Sequence, residues 1–453
     1  MLERLNTIVW GMPALLAILG VGLYFSIRSG FSQFTMLPKA FKSFFDQIQR
    51  KNRGAETSPY RALCTALAAT VGTGNIIGVA GAIIIGGPGS IFWMWICGLL
   101  GMIIKFSEAT LAVHYRQKNT KGETVGGPMH IIECGLGSNW KWLGILYCAF
   151  GIVASFGVGN AAQVNAVVEN LKPLIDNSET TRYLIGVLLA ILVAAALLGG
   201  AKRIGEIAEI LIPFAACVYI IICIVAIALC AQRIPNAFYQ IIVGAFEPKA
   251  ATGGILGSAF QALMIGASRG TFTNEAGMGT AAIAHAAADV NHPVEQGYMG
   301  ILEVFIDTIL ICTMTALVIL TSGIKIPYGS NLGATLSADA LSMTLGGWIA
   351  VLLPAIICLF AFATILGWSL YGIRCTQYLF GVHSWRVYVY IQVVVVAVSA
   401  FMESTTIWNF SELMNGLMLI PNLVALLLLS PVLLKLISEY KYSAENLTKR
   451  HKK

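Results

Sequence analysis

Charge is scarce in this chain: of 453 residues, 11% are Asp, Glu, Lys or Arg, against roughly a quarter in a soluble domain. That shortage excludes disordered, collagen-like and ordinary cytosolic classes. Metal-type spacing is missing as well. The 10 cysteines form no Cys-x-x-Cys pair and have no histidine at zinc-like separation. Most, such as Cys97, Cys217, Cys223, Cys312 and Cys358, lie inside apolar runs, where a thiol packs as a small hydrophobe. Neither a disulfide framework nor a metal cluster is indicated. The net charge of +7 is concentrated in a few loops and at the C-terminus, a pattern of membrane topology and not of nucleic-acid binding. What fills the chain instead is apolar: 57% of residues, with a mean hydropathy of +0.77. A spanning helix needs about 20 such residues, so the expected class is an all-α polytopic membrane protein.

Eleven apolar runs are expected to be helices, at 6–28, 60–86, 89–115, 140–170, 182–199, 205–231, 254–287, 295–322, 346–380, 384–402 and 405–436. The first is too long for a signal-peptide core and is expected to be retained. Between it and the second run, Phe34, Met36, Phe41, Phe44 and Phe45 alternate with Lys39, Lys42 and Arg50. That alternation predicts an amphipathic helix at the membrane surface. Most of the 29 Lys and Arg fall on one side if the N-terminus is outside and the tail cytoplasmic, which favours an odd number of spans.

Two runs are rich in glycine. The second contains Gly72-Thr73-Gly74-Asn75 near its middle, and the seventh contains Arg269-Gly270-Thr271-Phe272-Thr273-Asn274. They correspond if helices two to six and seven to eleven are two halves of opposite orientation. Interrupted segments at matching places of two halves point to a transporter binding site. The expected organisation is therefore an extra helix with its amphipathic segment at 1–59 and a first five-helix repeat at 60–231. A linker at 232–253, a second repeat at 254–436 and a basic tail at 437–453 complete it.

The chemistry follows from unpaired backbone, which costs several kcal/mol in hydrocarbon unless it lines a polar cavity. A half-helix starting near Gly74 would offer amides to a carboxylate. Carbonyls released near Val71 and from Met264 to Gly266 would face an ammonium or a bare cation. Tight helix–helix packing is the competing explanation for any single glycine. Around the breaks stand Ala68, Ala69, Thr70, Thr73, Ser268, Thr271 and Thr273, with Glu275 as the one acid. Such a lining suits a small zwitterion, with Phe272 and Trp368 closing over a short apolar side chain. The centre of the ninth helix holds Thr364 and no carboxylate. Carbonyls plus a hydroxyl suit a dehydrated monovalent cation, although alone Thr364 reads as a helix threonine bonding its own i−4 carbonyl. Gln163 either contacts ligand or bridges helices. Arg269 is expected to pair with Glu275, Glu303 or Asp307, and Lys105 with Glu108 at i,i+3. His130 and His285 are assigned no chemistry.

Three strings, GTGNIIGVAGAIIIGGPGSIFWMW (72–95), GGPMHIIECGLG (126–137) and NEAGMGTAAIAHAAA (274–288), resemble the alanine or glycine:cation symporter family of bacteria and archaea. That family lies within the amino acid–polyamine–organocation superfamily. The likeness runs over nearly the whole chain. It implies a leucine-transporter-type five-plus-five inverted repeat with one additional N-terminal helix, in a prokaryotic plasma membrane. It also implies sodium-coupled uptake of alanine or glycine by alternating access. By that resemblance the substrate would lie against Thr70, Gly72, Thr73, Gly74 and Asn75. Facing it would be Gly266, Gly270, Thr271 and Thr273, with Gln163 nearby. Sodium would be held by carbonyls of Ala68 and Val71, together with Ala361, Thr364 and Ile365. Proton coupling is the alternative, and a membrane-embedded enzyme or a channel a more distant one. No obligatory protein partner is implied.

Overall fold

The computed structural model describes residues 9–49, 57–172, 174–175, 178–246, 259–330, 333–401 and 404–450. Apolar runs without helix breakers become helices because only a helix pairs its backbone within one segment. The chain opens with α1 (Met12–Arg28), a turn with positive φ at Gly30 and Phe31, and α2 (Ser32–Gln49), bent 82° from α1. The expected amphipathic helix is α2. Its Met36 and Ala40 are buried, Phe41 stacks edge-on against Phe305, and Phe34 and Phe45 remain exposed. Part of its apolar stripe therefore rests on protein.

Next comes α3 (Pro59–Thr70), capped by Ser58 and started by Pro59. A bend of 52° leads to α4 (Gly74–Gly86), whose first turn is the wider π type. Helix α5 (Gly89–His114) runs through the centre of the molecule, followed by a small hairpin, β1 (Gln117–Lys118) with β2 (Thr124–Val125). Then follow α6 (Pro128–Leu136), α7 (Ser138–Leu171, with a π turn at Gly157–Ala161), α8 (Glu179–Leu197) and α9 (Gly200–Leu229). After α10 (Ile234–Phe246) the description resumes at α11 (Ala259–Asn274) and α12 (Thr280–His285). The remainder is α13 (Pro293–Ser322, with a π turn at Phe305–Cys312), α14 (Gly333–Leu345), α15 (Ile349–Phe380), α16 (Trp385–Ser399), α17 (Ser404–Leu428) and α18 (Ser430–Arg450).

Each of the eleven apolar runs holds a helix. Among the described residues, six helices are long and apolar enough to cross a membrane singly, or up to nine spans if each of three bent pairs counts as one. Gly254 and Gly257, at the start of the seventh run, and Gly253 just before it lie outside the described residues.

One helix, α10, occurs where a linker was expected, and another, α14, between the eighth and ninth apolar runs. Helix α10 packs on α5, where the backbone of Gly89 meets that of Gly244 and Phe246 meets Phe92 and Trp93. Helix α14 lies on α4, with Ser337 Oγ donating to the Ile76 carbonyl at 3.2 Å. Each has 13 residues, too short to register as a span. Arg233 donates to the carbonyls of Thr321 and Ser322 and so caps the C-terminus of α13.

Among the described residues, the apolar side chains pack into several clusters, of which two matter most for the fold. The larger joins α1, α4, α5, α9 and α13, and a second joins α8 and α16 to one face of α7 and α15.

Candidate functional site

Helix α3 ends because Val71 adopts an extended conformation, φ −78° and ψ 108°, and regular α-helical pairing ceases until after the π turn at Gly74–Gly78. The Gly72 N–H donates to Asn75 Oδ1 at 2.7 Å, which holds the break open without a helix. Helix α15 lies directly alongside. A Cβ built on Gly72 would stand 2.9 Å from Thr364 Oγ1, and one on Gly367 2.8 Å from the Ala69 nitrogen. The absence of side chains at 72 and 367 is what lets the two backbones meet.

Thr364 is buried, and its hydroxyl has no hydrogen-bond partner among the described residues. It does not bond the i−4 carbonyl, contrary to its reading in isolation. An orphaned buried hydroxyl costs about 1–3 kcal/mol unless something fills its position. Ala68, Val71, Ala361 and Ile365 are buried on the same two helices. A free hydroxyl beside a helix break is the kind of oxygen donor that a hard monovalent cation takes.

On the other side of the break, Thr73 Oγ1 donates to Gln163 Oε1 at 3.2 Å. The Gln163 amide in turn donates to the Val158 carbonyl at 3.1 Å, within the π turn of α7. Gly74 faces Thr273, whose Oγ1 would lie 3.6 Å from a Cβ at 74. The Thr70 hydroxyl bonds its own helix at the Ala66 carbonyl, 3.4 Å away. Trp368 is fully buried and enters the space left by Gly159. Phe272 is half-buried, edge-on to Trp10, and borders the same apolar cluster as Trp368, Ala66, Ala69 and Val158. The structure thus gathers Gly72, Thr73, Gly74, Asn75, Gln163, Thr273 and Thr364 at one break, with Phe272 and Trp368 on its apolar side.

Other expected residues face elsewhere. Gly266 lies against the Ser90 carbonyl and Trp93, and Gly270 against Met94 and Cys97. Thr271 Oγ1 and Cys97 Sγ are 3.0 Å apart. All three serve the contact between α11 and α5, where small residues permit close approach. The interruption is also displaced. Helix α11 continues through Asn274, so no carbonyls are released from Met264 to Gly266. The chain breaks afterwards, with positive φ at Glu275 (54°), Gly277 (92°) and Gly279 (76°). Gly266 and Gly270 remain helical because packing against α5 offsets their conformational freedom. Gly277 and Gly279 take backbone angles that a side chain would strain.

This second break is filled from within. Glu108 Oε1 accepts from the amides of Gly277 and Gly279, both at 3.0 Å, and from Asn422 Nδ2 at 2.7 Å. Glu275 accepts from Trp368 Nε1 at 3.0 Å and from Thr280 Oγ1 at 2.6 Å.

The expected ion pairs change accordingly. Lys105 pairs with Glu303 at 2.9 Å, both fully buried, because Glu108 is already engaged in the amide nest. Glu303 also meets His285 Nε2 at 3.0 Å, and Gln296 meets the other ring nitrogen at 2.6 Å, so His285 belongs to a buried network. Arg269 does not reach Glu275, Glu303 or Asp307. It lies on a partly exposed face of α11 and pairs with Glu412 at 2.9 Å.

The whole chain, residues 1–453, matches the family model described as the sodium:alanine symporter family. It is 42% identical over 439 residues to the sodium/alanine symporter AgcS of Methanococcus maripaludis, covering 95% of each. It is 36% identical over 439 residues to a Bacillus subtilis protein named "Probable sodium/glutamine symporter GlnT", covering 96% of this chain and 89% of that one. Among solved structures, MhsT in complex with L-phenylalanine matches with a TM-score of 0.56 at 14% identity, over 85% of this chain and 99% of that one. This last likeness is one of fold, the leucine-transporter type.

Proposed function

Since the chain belongs to the sodium:alanine symporter family, and is a membrane transporter coupling an amino acid to a cation and not an enzyme, we propose that its cargo is alanine or glycine and its coupling ion sodium. The observation that carries this reading is the asymmetry of the two breaks. The amide nest of the second already holds the Glu108 carboxylate, whereas at the first the Gly72 amide is taken by the neutral Asn75 side chain and the rest is bordered by glycines, hydroxyls and the Gln163 amide. A zwitterion's carboxylate would lie against the backbone at Gly72–Gly74, beside Thr73 and Gln163, with the carbonyls after Thr70 toward its ammonium. A methyl group or a hydrogen suits the apolar side formed by Ala66, Ala69, Phe272 and Trp368. Gly270, Gly266 and Thr271 would act indirectly, by holding α11 against α5.

Sodium would take the Thr364 hydroxyl with carbonyls of Ala68, Val71, Ala361 and Ile365. An ion there favours the state in which α3 and α15 are together, and substrate then permits closure; each ligand shifts the equilibrium only by its differential affinity. In this scheme residues 60–231 and 254–436 are the two inverted halves, with the N-terminus outside and the tail cytoplasmic.

The test is uptake of labelled alanine into proteoliposomes with sodium and pH varied independently. Accumulation above equilibrium under a sodium gradient alone is the expected result. Accumulation driven only by a pH gradient would replace sodium by protons. Passive equilibration would contradict symport, and preference for a larger side chain would overturn the cargo.

A further inference from the structure

The two breaks are joined by one continuous line of buried hydrogen bonds. From the first break, the Gly72 N–H donates to Asn75 Oδ1 at 2.7 Å, and Asn75 Nδ2 donates to Asp307 Oδ1 at 2.7 Å. From the second, the Ala276 N–H donates to Asn274 Oδ1 at 2.9 Å, and Asn274 Nδ2 donates to Thr308 Oγ1 at 3.1 Å. The Thr308 hydroxyl then donates to Asp307 Oδ2 at 2.8 Å. Asn75, Asn274, Asp307 and Thr308 are all buried, at 0–1% exposure.

Both arms have the same construction: an asparagine accepts from a backbone amide of its own break and passes its side-chain N–H toward α13. Both arms also point the same way, donor to acceptor, and end on the two oxygens of one carboxylate. Bonds polarised in one direction strengthen each other in a low-dielectric interior. Asp307 lies in the π turn Phe305–Cys312, an irregularity of the kind that gathers at functional positions. Asn75 is anchored further, since its Nδ2 also reaches the Asp307 carbonyl at 3.1 Å and its own carbonyl accepts from Thr315 Oγ1 at 2.8 Å.

We propose that Asp307 is a positioning residue that couples the two breaks, so that a change of backbone at 71–75 is felt at 275–279. In the symport cycle, cargo and ion would bind at the first break, and the Asp307 link would carry that event to α11 and α12 in the other half. Asp307 itself touches no cargo. The identity of the cargo rests on the preceding reading, but the linkage does not.

The test is therefore made first without ligand, by amide hydrogen exchange on the full chain in nanodiscs. Thr308→Val severs the second arm and leaves the first arm's own bonds in place. Exchange is expected to rise about threefold or more at Ala276 and also at Gly72, which Thr308 does not contact. Faster exchange confined to 274–280 would overturn the coupling. Asp307→Ala should raise exchange at both breaks about tenfold, and Asp307→Asn, which keeps an acceptor for Asn75, should restore most of the protection at Gly72. If Asp307→Ala does not fold, the Thr308→Val result decides.

In transport, Thr308→Val should lower kcat about tenfold while equilibrium alanine binding stays within about twofold. An unchanged kcat overturns the proposal. Failure of the native chain to carry alanine overturns the cargo and leaves the exchange result standing.

Discussion

The two interrupted helices look alike as strings of small residues, yet they do different work. The break after Thr70 is lined by glycines, the Asn75 amide and hydroxyls, one of which, on Thr364, is buried without a partner among the described residues. The break after Asn274 is occupied by the protein's own carboxylate, Glu108, which takes two amides and the Asn422 side chain. A half-helix N-terminus is an anion site by its nature. Whether it serves a ligand depends on whether the fold has already supplied the anion. Here one break carries a fixed internal filling, and the other is the one that the proposed function gives to cargo.

The largest effect that would break this comparison is expected at Gly74. Gly74→Leu puts a branched chain where the ligand would approach the backbone, and alanine uptake should fall by about 100-fold or more, since each 1.4 kcal/mol of lost binding is tenfold. Retained affinity in a binding assay would remove cargo from the first break.

Next is Glu108→Ala, which strips two amides and one side-chain N–H of their acceptor. The expected loss is about 3 kcal/mol or more of stability, seen as a lowered midpoint of thermal unfolding. A variant of native stability would mean that the nest is not filled by need.

Thr364→Ala sharpens the comparison on the cation side. The sodium concentration for half-maximal uptake should rise about tenfold with the order of substrate preference unchanged, and an unaltered sodium requirement would discard this position. Smallest is Gly270→Ala: its Cβ would lie 3.3 Å from Cys97 Cβ. About 1 kcal/mol of lost packing should appear in unfolding, with alanine affinity kept. A lost affinity would return Gly270 to the cargo site.

How much of this could be read from residues alone differs between the breaks. At the first, Gly72-Thr73-Gly74-Asn75 interrupts an apolar run, and the local pattern was sufficient to place it. Gln163, Thr273 and Thr364 lie beside it in the fold. At the second, glycines of two kinds stand within one run. Gly266 and Gly270 let α11 approach α5, whereas Gly277 and Gly279 hold positive φ. Composition does not separate a packing glycine from a turning one; the neighbouring helix does. The Asn-Glu-Ala-Gly-Met-Gly string at 274–279 was the available signal.

The filling of the second break was less legible still. Glu108 stands three residues from Lys105, and local spacing pairs them. In the fold Lys105 finds Glu303 and Glu108 finds amides at 277 and 279, contacts set by packing across the bundle. Arg269 went to Glu412 for the same reason. Helices α10 and α14, each of 13 residues, fell below the length at which a membrane pattern declares itself.

The most direct test is a structure determined with alanine and sodium bound. Density for the amino acid against Gly72–Gly74 is the expected result. A cation at the Thr364 hydroxyl and Glu108 still seated on Gly277 and Gly279 should accompany it. Alanine lying on the amides of 277 and 279, with Glu108 displaced, would contradict the account.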